Sequence, residues 1–206
     1  MPRSIRLTRT EQQQLTRQRL LSAAEELFVS LGIAGTSIED IAETAGFSRG
    51  AFYSNFSDKH ALVLELMRNT AERDNAHLGR LLNQRTSTAD FLNAMRTREL
   101  DTTRSALQRE FHLYALRNID ARPDLVAINR TSRQTTEKFV HEIWQEIEFP
   151  VPITAQFASR VLQCLDDGIA TLRITEPEEF PPGMYTDVLM LLHEALIALA
   201  EKRSSP

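Results

Sequence analysis

Apolar positions recur along most of this chain every three to four residues, the spacing of helices laid on a core. Nowhere do apolar and polar residues alternate as in a half-buried strand, so the expected fold is all-α. Leu20, Ala24, Leu27 and Leu31 fall on one face of a helix over residues 11–31, with Ala23 and Phe28 beside them, Thr10 as its cap and Gly32 after its end. Ile38, Ile41, Ala42 and Ala45 mark a second, short helix, and Phe52 and Phe56 anchor a third over roughly 49–56. Further helices are expected near 58–84, 88–101, 103–119, 122–148, 153–174 and 184–202. Their breaks are chemical: a polar turn at 85–88, a helix start with Pro123 in its first turn, the Pro150 and Pro152 pair, and a proline- and glutamate-rich loop over 176–183. The chain thus divides into an arm and three helices over 1–57 and a larger helical domain over 58–206.

The second and third helices are joined by a turn of only about three residues. Thr36 or Ser37 opens the second helix, with Thr36-x-x-Glu39 reading as a capping box. Gly46 stops it by accepting a left-handed conformation, Phe47 supplies an apolar plug, and Ser48 caps the third helix. The pattern is that of a helix-turn-helix. With Phe52 and Phe56 turned inward, Ser48, Arg49, Gly50, Ala51, Tyr53, Ser54 and Asn55 are left on the flanks and outer face. In such a motif the second helix enters the major groove of duplex DNA with its N-terminal residues at the base edges. Arg49 suits a guanine edge, a contact worth ~1–3 kcal/mol of discrimination, and Tyr53 and Asn55 can donate to phosphate oxygens. Gly50 costs about 1 kcal/mol of helix stability relative to alanine, and its bare backbone can approach a base or phosphate closely.

Thr36, Ser37, Arg17 and Lys59 complete the candidate set. Ser57 is the expected cap of the next helix and Asp58 suits its dipole, whereas Lys59 puts a cation at a positive helix end. A nearby phosphate accounts for that, and so does plain solvation. Arg17 is the better candidate of its helix for a phosphate contact, a surface arginine being the commoner role of such a residue.

A chain of 206 residues, 42% of them hydrophobic, suffices for one small domain and one larger helical one. It has no long uncharged apolar run, which argues against a membrane span. The arginine-bearing N-terminus lacks the apolar segment of a secretory signal, and the single Cys164 cannot form an internal disulfide, so the expected compartment is the cytoplasm. A net charge of −4 sits awkwardly with nucleic-acid binding. Its distribution offsets this: residues 1–19 hold Arg3, Arg6, Arg9, Arg17 and Arg19 against Glu11 alone, either an arm that reaches a groove or backbone or a solvated tail.

Residues 17–64 resemble the DNA-binding domain of the tetracycline-repressor (TetR) family of bacterial transcription regulators. The resemblance rests on Arg17-Gln-Arg-Leu-Leu-Ser-Ala-Ala-Glu-Glu-Leu-Phe28, Gly32, Thr36-Ser-Ile-Glu-Asp-Ile-Ala42, Ala45-Gly-Phe-Ser-Arg-Gly-Ala-Phe-Tyr53, Asn55-Phe56, and Lys59 with Leu62. It covers about a quarter of the chain. It implies phosphate contacts for Tyr53 and Lys59 and base reading from the start of the third helix. The chain departs from the family at Asn55, often histidine, where both residues can donate to phosphate. It departs again at Ala51, often threonine, which leaves an apolar contact to a thymine methyl.

The resemblance also implies a larger domain that dimerises and binds a small-molecule effector, with release from a palindromic operator. Ala158, Leu162, Leu165, Ile169 and Leu172 form one apolar stripe, and residues 188–200 are apolar nearly all round apart from His193 and Glu194. Such helices are buried on more than one face, inside a domain or against the same helices of a second subunit. The resemblance favours the homodimer, with Leu162, Leu165, Ile169, Leu172, Val188, Leu192, Leu196 and Leu199 at its interface. Phe111, His112, Tyr114, Ala115, Phe139, Val140, Ile143 and Trp144 have the composition of a ligand pocket, and equally that of a helical core.

Enzymatic readings fail on the residues. His141-Glu142 and His193-Glu194 each lack the second histidine of a zinc-binding helix, and the chain has no phosphate-binding glycine loop or nucleophile motif. Cys164 is expected as a buried, inert thiol. No cofactor, metal or catalytic residue is expected. The rival reading is a helical protein-interaction module without DNA binding, in which Arg49 and Tyr53 are dispensable.

Overall fold

The computed structural model describes residues 8–83, 88–145 and 153–204, and these are helical with no strand among them. The helices are α1 (Arg9–Gly35), α2 (Ile38–Thr44), α3 (Arg49–Tyr53), α4 (Lys59–Asn83), α5 (Thr88–Glu99), α6 (Thr102–Arg117), α7 (Arg122–Gln145), α8 (Ala155–Thr175) and α9 (Met184–Ser204), with a short 3-10 turn over Ile119–Ala121. Every expected helix is present. The expected polar turn at 85–88 and the Pro150 and Pro152 break fall largely or wholly outside the described residues.

Chain packing forms two compact units, residues 1–70 with 106–125 and residues 71–105 with 126–206. The first unit therefore runs past the expected boundary at 57 and takes in most of α6. Its core is Leu20, Ala24, Phe28, Ile33, Ile41, Phe52, Leu62, Val63 and Met67, all but inaccessible to solvent.

α1 differs from expectation at both ends. Its cap is Thr8, not Thr10: the Glu11 amide donates to the Thr8 hydroxyl at 3.2 Å, and the Thr8 amide donates to the Glu11 carboxylate at 2.7 Å. Gly32 does not end the helix but breaks it, at φ 75° and ψ 158°, a backbone region essentially reserved for glycine. Glu110 of α6 seals the break by accepting from the Ile33 amide at 2.8 Å. Because Phe28 takes the inward position and the chain turns at Gly32, Leu31 is 57% exposed rather than in the core.

The second unit is tied together by buried charge. Glu99, at the end of α5, accepts from the amides of Tyr185 (3.1 Å) and Thr186 (3.4 Å) and the Thr186 hydroxyl (3.1 Å), capping α9, and pairs with Arg173 of α8. Arg104 Nε reaches Asp74 at 2.7 Å. Burial, with Asp166 nearby, pushes the Tyr185 hydroxyl far above the ordinary phenol range.

The α8 and α9 stripes are only partly covered. Ile169 is buried, Leu162, Leu165, Val188 and Leu196 are half-buried, and Leu172, Leu192 and Leu199 are exposed. Phe157, Val161, Ile174 and Leu191 are also exposed. Cys164 is exposed too, contrary to expectation, because it shares with Phe157 and Val161 the face of α8 turned away from its own unit. Among the described residues no helix is long and apolar enough to cross a membrane.

Candidate nucleic-acid interface

The helix-turn-helix is built from three local devices. Ser37 caps α2: the Asp40 amide donates to its hydroxyl at 3.1 Å and the Asp40 carboxylate accepts from the Ser37 amide at 2.8 Å. The Ser37 hydroxyl, which donates to the Asp40 carboxylate at 2.6 Å, and then the Ser37 amide hold the Asp40 carboxyl below the usual carboxylate range. The turn closes as the Phe47 amide donates to Ala42 at 2.8 Å and Gly46 takes φ 76°. Ser48 then caps α3, its hydroxyl accepting from the Ala51 amide at 3.2 Å.

The capping box is thus one residue later than Thr36-x-x-Glu39, and the consequence for the site is direct. Thr36 is 2% exposed, its hydroxyl donating to the Gly32 carbonyl at 2.8 Å, so it is part of the α1–α2 junction and not of the surface. Glu39, released from capping, carries its carboxylate to Arg49 Nη1 at 2.6 Å.

Phe52 and Phe56 face inward, at 0% and 3% exposure with ring centroids 5.6 Å apart. The outer face of α3 is thereby presented to solvent: Ser48, Arg49, Gly50, Tyr53 and Ser54 are exposed and Ala51 is half-buried. Ser37 is exposed beside them at the start of α2. Arg49 Nη2 donates to the Tyr53 hydroxyl at 3.3 Å, and its guanidinium lies 5.5 Å from that ring. The hydroxyl first, then the Glu39 carboxylate, raises the Arg49 pKa above its ordinary value.

Three candidates have internal duties instead. Arg17 pairs with Glu65 of α4, with Nε at 2.7 Å, donates to the Asn55 carbonyl, and lies 4.1 Å over the Phe56 ring. It clamps α1 to the end of the reading unit, and its guanidinium is largely committed. Lys59 donates to the carbonyls of Ile33 and Thr36, both at 2.8 Å, satisfying the last carbonyls of α1; partial burial lowers its pKa. That explains a cation at the first position of α4 without a phosphate. The cap there is Asp58 rather than Ser57, its carboxylate accepting from the Ala61 amide at 2.7 Å. Asn55 folds back, Nδ2 donating to the Ala51 carbonyl at 2.8 Å.

The eight pocket candidates do not share a compact unit: Phe111, His112, Tyr114 and Ala115 belong to the first, Phe139, Val140, Ile143 and Trp144 to the second. Tyr114 has a specific partner there, its hydroxyl 2.8 Å from His60 Nδ1. The side chain of Ile143 lies outside the described residues. A cavity of about 430 Å³ does exist in the second unit between α5 and α9, where Leu92, Arg96, Thr186, Met190 and His193 are among its lining. None of the eight candidates lines it. Sequence reasoning also passed over Glu39 as the partner of Arg49. The signal was available in two consecutive hydroxyl residues, each followed three places on by an acid.

Residues 20–66 match the family described as bacterial regulatory proteins, tetR family. The chain is 42% identical over 76 residues to the HTH-type transcriptional regulator TtgR of Pseudomonas putida, covering 37% of this chain and 35% of that one. It spans about a third of the length of the curated relatives it matches. Two solved structures share its fold: Salmonella enterica GusR, at a TM-score of 0.72 and 21% identity over 93% of this chain and 98% of that one; and NalD of Pseudomonas aeruginosa, described as the secondary repressor of the MexAB-OprM multidrug efflux pump, at 0.64 and 23% over 89% and 96%.

Proposed function

We propose that this chain, which belongs to the tetR family of bacterial regulatory proteins, acts in the cytoplasm as a homodimeric repressor that reads a palindromic operator with the outer face of α3. The observation that carries this reading is the exposed row Ser48, Arg49, Gly50, Tyr53 and Ser54, held from behind by the buried rings of Phe52 and Phe56. Arg49 is the base reader, suited to a guanine O6 and N7 pair. Ser37, Ser48, Tyr53 and Ser54 supply phosphate contacts that fix register. Arg17 and Lys59 act one step behind, shaping the surface rather than touching DNA.

Dimerisation is supported by the apolar surface that α8 and α9 leave uncovered, from Phe157 and Val161 to Leu191 and Leu199. Two heads related by a two-fold axis require half-sites spaced by whole helical turns, about 34–36 Å or multiples of it. A small-molecule effector in the second unit would release the operator with a coupling of roughly 1–3 kcal/mol. α4, continuous from Lys59 to Asn83, is the covalent route for that coupling.

The test is selection of binding sites from a random duplex library, followed by titration of the selected site. The expected result is a two-fold symmetric sequence bound by two chains. Recovery of no enriched sequence would overturn the reading in favour of an interaction module.

A further inference from the structure

Glu39 is the residue of the exposed face whose position most needs explaining. Capping of α2 is complete without it, because Ser37 and Asp40 satisfy each other. Its carboxylate instead crosses the turn to Arg49 Nη1 at 2.6 Å, while Tyr53 accepts from Arg49 Nη2 at 3.3 Å. Both partners remain accessible, with side-chain exposures of 62% for Arg49 and 54% for Glu39. The guanidinium at the tip of the reading helix is thus oriented before any DNA arrives, with its charge balanced.

We infer that Glu39 is a specificity-determining residue, which holds Arg49 for a guanine edge and keeps it from binding phosphate indiscriminately. The inference rests on the DNA-reading role of α3 proposed above. A guanidinium carries five N–H donors in a rigid fork, so one edge can stay on a carboxylate while another meets guanine O6 and N7. The Nη2 contact to Tyr53 is long for a hydrogen bond and is readily exchanged for a guanine acceptor. A phosphate meets a different situation. It must approach a cation already neutralised, beside a carboxylate that repels it. Glu39 therefore costs little when Arg49 faces a neutral base and more when it faces a charged backbone. Two other cations of the head are likewise committed, Arg17 to Glu65 and Lys59 to two carbonyls.

The test is Glu39→Gln, which keeps size and hydrogen-bonding capacity and removes the charge. Affinity for a selected site and for a scrambled duplex is measured across a salt series, alongside wild type, Arg49→Ala and the double variant. Expected is a log–log salt slope for scrambled DNA steeper by about 0.9 per head, the value for one added phosphate contact. The ratio of specific to non-specific affinity falls by roughly threefold or more at low salt. In the Arg49→Ala background the same change has no effect on the slope, an outcome that a merely structural role for Glu39 would not give. If Glu39→Gln leaves slope and ratio unchanged while Arg49→Ala abolishes the preference, the inference falls and the reading of α3 stands. Should wild type show no preference between the duplexes, both fall together.

Discussion

Replacing Gly32 by alanine tests the architecture of the reading unit at its most constrained point. Gly32 holds φ 75° and ψ 158°, and a Cβ built there would lie 3.2 Å from Glu110 Oε2. Backbone strain of this kind costs of order 1–3 kcal/mol in a residue with a side chain. Moving Glu110 aside loosens its bond to the Ile33 amide, adding about 1 kcal/mol. Gly32→Ala is therefore expected to destabilise by roughly 2–4 kcal/mol, a fall in melting temperature of about 4–16 °C at the 2–4 °C per kcal/mol typical of chains this size. Gly35 supplies an internal control. It lies in α1 without positive φ, and its added Cβ would make ordinary contact, 3.8 Å from Leu31 Cβ. Gly35→Ala is expected to stabilise by about 0.4–1 kcal/mol through the unfolded chain. Thermal unfolding followed by circular dichroism reads both. Shifts of the same sign at the two positions, or no shift for Gly32→Ala, would refute the kink and its seal by Glu110.

Glu99→Ala strands Arg173 without its carboxylate and uncaps α9, and urea unfolding should show a loss of about 3–5 kcal/mol, the range for breaking a buried pair from one side. Asp40 has a folded pKa below its unfolded one, so its contribution to stability is complete above the ordinary carboxylate range and is lost as pH falls through the lower folded value. Asp40→Asn should accordingly lower stability near neutrality and flatten the acid limb below about pH 4, where variant and wild type converge; an unchanged acid limb contradicts the Ser37 cap. Cys164 lies on the uncovered face of α8, so its reaction with a thiol reagent should slow as protein concentration rises and dimers form. A rate independent of concentration argues against α8 as the interface.

The helices were legible because each carries its own periodicity and punctuation, and Gly46 and Ser48 dictate the turn between α2 and α3 with purely local bonds. The α2 cap was ambiguous by one residue because Thr36 with Glu39 and Ser37 with Asp40 satisfy the same local rule. A bond back into α1 decides it: the Thr36 hydroxyl is drawn to the Gly32 carbonyl, four residues earlier, leaving Ser37 to cap. Arg17 and Lys59 stay open to two readings in the sequence for a different reason. Their partners lie 48 and 26 residues away, and no local pattern distinguishes an arginine reaching for Glu65 from one reaching for phosphate. The extent of the first unit was hidden likewise, since Glu110 joins it through an amide on α1 far away in sequence. Cys164 was misplaced because its apolar neighbours Phe157 and Val161 suggest a core, yet they face away from their own unit.

Contact between DNA and the exposed face of α3 is tested most directly by the affinity of Arg49→Ala for the selected site against a scrambled duplex. The guanidinium is exposed, and the variant leaves the buried Phe52 and Phe56 untouched. Loss of one bidentate base contact, ~1–3 kcal/mol, predicts a specificity ratio reduced roughly 5- to 150-fold per head with the melting temperature unchanged. A variant that folds normally and keeps the wild-type ratio would contradict the account.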